Sequence, residues 1–430
     1  MSSKIHLLAT AMALAIAAAV PVSTAAAASV TDPFYTYTGS TPLSSIPLGT
    51  VLNTRSVTYH VVGIPTPVIA QQLLYRTNNA QKQAVVNVTS VIKSPVSNGQ
   101  AISYQSAYDS LNPGDEPSQV IAGDQLDIGT VFYSAESVPL SALLLAGYNV
   151  IVPDTEGQTA DFAAGPEYGM TTLDSIRAAV NTTSTGLNPS SKVALVGYSG
   201  GAIATEWAAQ LAPTYAPDVN QQLVGAAEGG VLVDPAHNLH YVDGGLVWGA
   251  IAPMALVGLT RAYGFDLTPY LNSTGLALFN QLQDQSIIQV LPSNLGLDWK
   301  TLFKPQYAND INSIPAYVQY ANQVNAGLVG SPTIPMYITQ GDAGFLDGTF
   351  SSQAGDGVMI AGDVRALARQ YCASGTRVVY TEVPLEHGGA VAPWVLGMLP
   401  WIYARFAGVP APSNCWLIAP GNSLAPETVH

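Results

Sequence analysis

Two hydrophobic rhythms alternate along this chain. Short runs rich in Val, Ile and Tyr recur at residues 84–92, 102–108, 148–152, 193–196, 223–226, 334–339 and 378–382, each of strand length. Between many of them lie stretches with helical spacing, at 137–146, 171–180, 200–211, 358–373 and 390–406. Strands that alternate with helices predict an α/β fold, a mostly parallel sheet flanked by helices on both faces. An early pair of runs, 72–76 and 84–92, brackets Asn78-Asn79 and predicts an antiparallel start to that sheet.

The rhythm changes from Asp234 to Val329. There, apolar helical stretches at 245–259, 275–285 and 314–324 replace the alternation. An insertion at this point in the order would stand above the carboxyl ends of the strands, where it can act as a cap or lid. The expected organisation is a leader at 1–28, a core at 29–233, a helical cap at 234–329 and the rest of the core at 330–430. The uncharged run 244–260 is shorter than the roughly 20 residues a membrane span needs, and it contains Gly249 and Pro253. It reads as a buried or interface-seeking cap helix.

The leader carries Lys4, an apolar stretch at 7–20 and a small-residue end, Ala25 to Ala28, before Ser29. That is the pattern of a cleavable secretory signal, so the mature chain is expected to begin near Ser29, to be secreted and to hold no transmembrane segment. In that compartment the two cysteines, Cys372 and Cys415, are expected to pair in one disulfide. A net charge of −14 with only 14 basic residues argues against nucleic acids and anionic membranes as partners. Apolar residues make up 48% of the chain and charged ones 10%, which suits a deep core and a greasy binding face. Cys and His show no metal-ligand spacing, and the pair His237/His240 reads as polar surface. No metal or organic cofactor is expected.

The chemistry starts at Val193-Ala194-Leu195-Val196-Gly197-Tyr198-Ser199-Gly200-Gly201. An apolar strand runs into Gly-x-Ser-x-Gly and straight out into a helix, the context that lifts a serine into a nucleophile elbow. Small residues at 197 and 201 leave room for the tight turn. A serine alcohol becomes nucleophilic only when a base takes its proton, and that base needs an anionic partner. His387, in Leu385-Glu386-His387-Gly388-Gly389, follows a late strand and precedes a helix, and the order serine, acid, histidine suits an α/β-hydrolase. Three aspartates follow the strand at 334–339: Asp342, Asp347 and Asp356. Spacing from the strand favours Asp342, and spacing from the following helix favours Asp356. Glu386 is a further acid within reach. The oxyanion needs two backbone N–H donors. Gly200 is expected to supply one, and the loop at 104–110 the other.

Several of these segments together resemble the secretory lipases of fungi and actinobacteria, the family of Candida antarctica lipase A. The likeness rests on Tyr104-Gln105-x-x-Tyr108-Asp109-Ser110, on Val152-Pro153-Asp154-x-Glu156-Gly157, on Gly197-Tyr198-Ser199-Gly200-Gly201 with Glu206-Trp207-Ala208-Ala209 and Tyr215-Ala216-Pro217, and on Glu386-His387. The resemblance implies an α/β-hydrolase with a helical cap that cleaves carboxylic esters, often long-chain acylglycerols, without a cofactor. It implies Ser199 as nucleophile, His387 as base and the Asp109 backbone as second oxyanion donor. Its acid stands two residues before Val or Ile, ahead of a helix closed by Cys-x-x-Gly. Asp356-x-Val358 and Cys372-Ala373-Ser374-Gly375 keep that register and favour Asp356, although this chain inserts 342–355 ahead of it. The tail after Cys415 is short for the C-terminal flap that some relatives use. A lipase acting as a monomer on an ester or lipid substrate, at a lipid–water interface, is the expected function. A short-chain carboxylesterase, an acyltransferase and a non-catalytic protein of the same fold are the alternatives.

Overall fold

The computed structural model describes residues 32–123 and 131–430. The leader expected at 1–28 lies outside them. Among the described residues, nine strands form one sheet in the order β1-β2-β3-β5-β4-β6-β7-β8-β9. They are β1 (Val51–Val61), β2 (Ile64–Asn78), β3 (Ala84–Ile92), β4 (Ala101–Gln105), β5 (Asn149–Pro153), β6 (Val193–Tyr198), β7 (Leu223–Gly229), β8 (Met336–Gly341) and β9 (Val378–Val383). The first three pair antiparallel, and from β4 onward neighbouring strands run parallel. This is an α/β-hydrolase architecture, with the mostly parallel sheet that the alternating pattern predicts. The long β1 and the first half of β2 escape that reading because their side chains are mostly half exposed, so no apolar run marks them.

Side chains of β6 show why the middle strands read as continuous apolar runs. Val193 and Leu195 enter the core on one face of the sheet, whereas Ala194 and Val196 enter the core on the other. Period-two alternation with both faces covered leaves no polar position. Helices Gly165–Val180, Gly200–Tyr215 and Ala361–Ala373 cover the first face, through Tyr168, Trp207 and Val364. Helices Val131–Leu145 and Val391–Phe406 cover the second, through Leu140, Trp394 and Ile402. A disulfide joins Cys372 to Cys415.

Between β7 and β8 the chain is helical, with Pro235–Tyr241, Ile251–Tyr263, Ser273–Leu282, Ile287–Ser293 and Pro315–Gln323. These helices bury their own apolar cluster around Leu239, Met254, Trp299 and Tyr317, which also takes in Phe162 and residues Val358 to Ile360. No helix among the described residues is long and apolar enough to cross a membrane. The stretch at 244–260 is divided, and its helix begins only at Ile251.

Candidate active site

Sterics build the serine turn. Ser199 sits at φ 55°, ψ −122° between the end of β6 and the first turn of helix Gly200–Tyr215, a backbone state that is costly for a side-chain-bearing residue. Its N–H donates to Gly229 O at 2.9 Å, and its carbonyl accepts Ala202 N–H at 2.8 Å. A Cβ on Gly197 would overlap the Gly201 carbonyl, and one on Gly201 would overlap the Gln105 carbonyl. Only glycines let strand and helix approach this closely.

Three side chains from distant segments meet in one hydrogen-bonded chain. Ser199 Oγ lies 2.7 Å from His387 Nε2, and His387 Nδ1 lies 2.7 Å from Asp356 Oδ2. The carboxylate of Asp356 accepts three further bonds, from Gln340 Nε2 at 2.9 Å and from the N–H groups of Val358 and Met359 at 3.1 and 2.7 Å. Its carbonyl accepts His387 N–H at 2.8 Å, and Tyr198 Oη donates to His387 O at 2.6 Å. Burial works against the imidazolium, but the adjacent Asp356 charge outweighs it, so His387 titrates above its ordinary 6.5. Asp342 is not brought to this chain. Its N–H is tied to Val383 O, and its carboxyl faces the fields of Glu382 and Arg365. Asp347 stands one shell further out, bonded at 2.9 Å to Trp248 Nε1, and the Trp248 ring packs edge-on to His387 at 5.2 Å.

Asp109 and Gly200 are direct neighbours: a Cβ on Gly200 would overlap Asp109 Oδ1. Asp109 has a positive φ of 37°, and its loop is pinned on both sides. Ile287 N–H donates to Asp109 O at 3.0 Å, and Ser110 N–H reaches the Glu156 carboxylate at 3.2 Å. Tyr108 Oη donates to Glu116 at 2.8 Å and accepts Glu156 N–H at 2.9 Å. The segments Tyr108-Asp109-Ser110 and Asp154-x-Glu156 thus form one buried buttress, which sequence spacing alone does not reveal. Burial pushes the Asp109 carboxyl up to about 7, with His387 pulling part of the way back.

His237 is not simple polar surface, whereas His240 is exposed, as expected. Both lie on helix Pro235–Tyr241. His237 Nδ1 is 3.0 Å from Asp363 Oδ2, while its Nε2 faces Asp234 and Glu427 at 3.7 and 3.8 Å. His240 packs edge-on to Trp299. The short C-terminal tail carrying Glu427 bonds back to Asn322 in both directions, at 2.7 and 2.9 Å.

A strand-turn-helix serine within hydrogen-bond reach of a histidine that is in turn held by a carboxylate, on this sheet, gives the chain the α/β-hydrolase fold with a Ser-His-Asp arrangement at the strand ends. Comparison with known proteins narrows the class. The family model described as secretory lipase matches residues 123–414. The chain belongs to that family, which holds lipases and esterases. A Mycobacterium tuberculosis protein named a probable inactive lipase is 32% identical over 88% of this chain and 82% of its own length. The trichothecene C-3 esterase of Fusarium sporotrichioides is 32% identical over 81% of this chain and 77% of its own. Among solved structures, Candida antarctica lipase A in its closed state superposes with a TM-score of 0.78 at 27% identity, covering 93% of this chain and 91% of that one.

Proposed function

We propose that this chain is a secreted, monomeric serine hydrolase that cleaves carboxylic esters, acylglycerols foremost, through an acyl-enzyme. The observation that carries the reading is the continuous hydrogen-bonded chain from Ser199 Oγ through His387 to Asp356, with 2.7 Å at both links. Ser199 attacks the ester carbonyl while His387 Nε2 takes its proton. Asp356 keeps the imidazole in the tautomer with a proton on Nδ1 and stabilises the imidazolium that forms. The N–H groups of Gly200 and Asp109 receive the developing oxyanion. His387 then hands the proton to the leaving alcohol, and water clears the acyl group by the same steps in reverse order of roles.

In this reading, residues 234–329 act as a cap. An apolar cavity beside Ser199, lined by Leu239, Leu256, Leu259 and Met359, is where a cap would hold an acyl chain. That cavity is narrow, with about 70 Å³ open to the centre of a water-sized sphere, so a short-chain esterase is the second reading. A fluorophosphonate probe should label the protein stoichiometrically, and Ser199→Ala should abolish labelling and lower kcat by a factor on the order of 10⁶. Absence of labelling would mean that the fold is kept without the chemistry, as the name of the mycobacterial relative suggests for that protein. Rates on tributyrin and on an olive-oil emulsion separate esterase from lipase.

A further inference from the structure

Two apolar cavities, not one, meet at Ser199. The first runs beneath helix Ile251–Tyr263, past Ala255 and Leu256. The second opens on the other side, between helices Val131–Leu145 and Val391–Phe406, with Ala142, Val395 and Leu399 on its walls. By the same measure it is far roomier, with about 540 Å³ open to the centre of a water-sized sphere. Asp109, Ser199, Trp248 and Ile287 line both cavities, so Ser199 stands at their junction. His387 and Gly388 line only the second.

Proton transfer decides which half of an ester goes where. When the tetrahedral intermediate collapses, the carbonyl carbon stays bonded to Ser199 Oγ, and the bond to the alcohol oxygen breaks. The electron pair leaves on that oxygen, which takes the proton from His387 Nε2. The alcohol must therefore lie on the histidine side, and the acyl chain on the side the histidine does not face. Resting on the serine hydrolase reading above, we infer that the cavity between helices Val131–Leu145 and Val391–Phe406 is a binding site for the alcohol half of the substrate, and that this enzyme takes esters of large apolar alcohols. A small alcohol would leave apolar walls around Val395 and Leu399 wet. Each methylene of a longer one buried there should raise kcat/KM by roughly fourfold. The mouth is itself apolar, with Val138 on its wall 77% exposed.

Two isomeric esters make the test, because they share composition and differ only in the side that carries the chain: dodecyl acetate and ethyl dodecanoate. Wild type should hydrolyse dodecyl acetate at least as well as its isomer. Val395→Trp, which fills the second cavity, should lower the ratio of kcat/KM for dodecyl acetate over ethyl dodecanoate by at least about tenfold. Ala255→Trp, which fills the first, should raise that ratio. Ala142→Phe repeats the first arm should Val395→Trp fail to fold, with fluorophosphonate labelling as the check on folding. Ratios that move the same way in both variants, or stay fixed, overturn the assignment, as does a wild type that labels fully yet spares dodecyl acetate. Failure to label at all would instead count against the hydrolase reading.

Discussion

The serine turn and the acid-bearing loop contribute to the same hydrogen-bonded chain, yet they are built by opposite means. The turn is contiguous: β6, two glycines and a helix lie within one run of sequence, and backbone overlap, within the turn and against the Gln105 carbonyl of β4, dictates the residue types. The acid loop, from Gly341 to Ile360, is assembled from afar. Gln340 comes from β8, His387 from beyond β9, and Tyr241 Oη from the helical insertion accepts Gly357 N–H at 3.3 Å. One half is fixed by what cannot fit, and the other by what must be satisfied. Away from Ser199 itself, a substitution should therefore fail differently in each: by folding in the turn, and by chemistry in the loop.

Among substitutions of the residues around Ser199, the largest expected effect lies in the loop. Asp356→Asn should lower kcat by about 10³–10⁴, whereas Asp342→Asn should stay within about twofold, measured on the same soluble ester. Equal mild losses would show that neither holds the histidine. In the turn, Gly201→Ala must displace the Gln105 carbonyl and should cost about 2 kcal/mol or more, lowering Tm by on the order of 4 °C. Phe350→Ala, at a side chain 85% exposed on the loop, should stay within about 0.5 kcal/mol. If both melt alike, the contrast between local sterics and distant satisfaction collapses.

Smaller effects concern titration. His387 must be neutral to act as base, and its pKa is raised above 6.5, so kcat/KM should climb along a limb above that pH. Asp347 is one of the charges holding it up, and Asp347→Asn should move the limb to lower pH. An unmoved limb would place its titration elsewhere. Past the loop, helix Ala361–Ala373 is tied by Asp363 to His237, whose hydrogen bond to that carboxylate, against the pull of burial and with help from Asp234 and Glu427, raises its pKa to about 9. A folded-state pKa above the unfolded value gives stability that is fully present below about pH 6.5 and lost as pH rises through about 9. The shift corresponds to at most about 3 kcal/mol. About 26% of the His237 side chain is exposed, so solvent screening brings the expected loss nearer 1–2 kcal/mol. His237→Gln should flatten the fall in Tm between those limits.

The same contrast explains what could be read in advance. The parallel strands were legible because both of their faces are buried, and Ser199 because its turn needs glycines at fixed offsets. Asp356 stayed one of several acids in the residues themselves, since its environment is set by Gln340, Val358 and Met359 folding back on it. Trp248 carries no local mark at all, being one aromatic in an apolar stretch. The carboxyl buttress behind Asp109 joins segments some 46 residues apart, and a single sequence does not register such pairings. His237 looked like surface because its three acidic neighbours come from positions 234, 363 and 427.

The bond between Cys372 and Cys415 closes a stretch 43 residues long, and His387 lies inside it. The turn at 373–375 just within that stretch is exposed, a natural place for a protease to cut. Such a cut would sever the piece carrying the serine from the piece carrying the histidine along the backbone, but the disulfide would keep both in one molecule. The protein therefore has a spare covalent connection between the segments that carry Ser199 and His387. Nicking alone, or a thiol alone, leaves the two halves joined, and only both together can separate them.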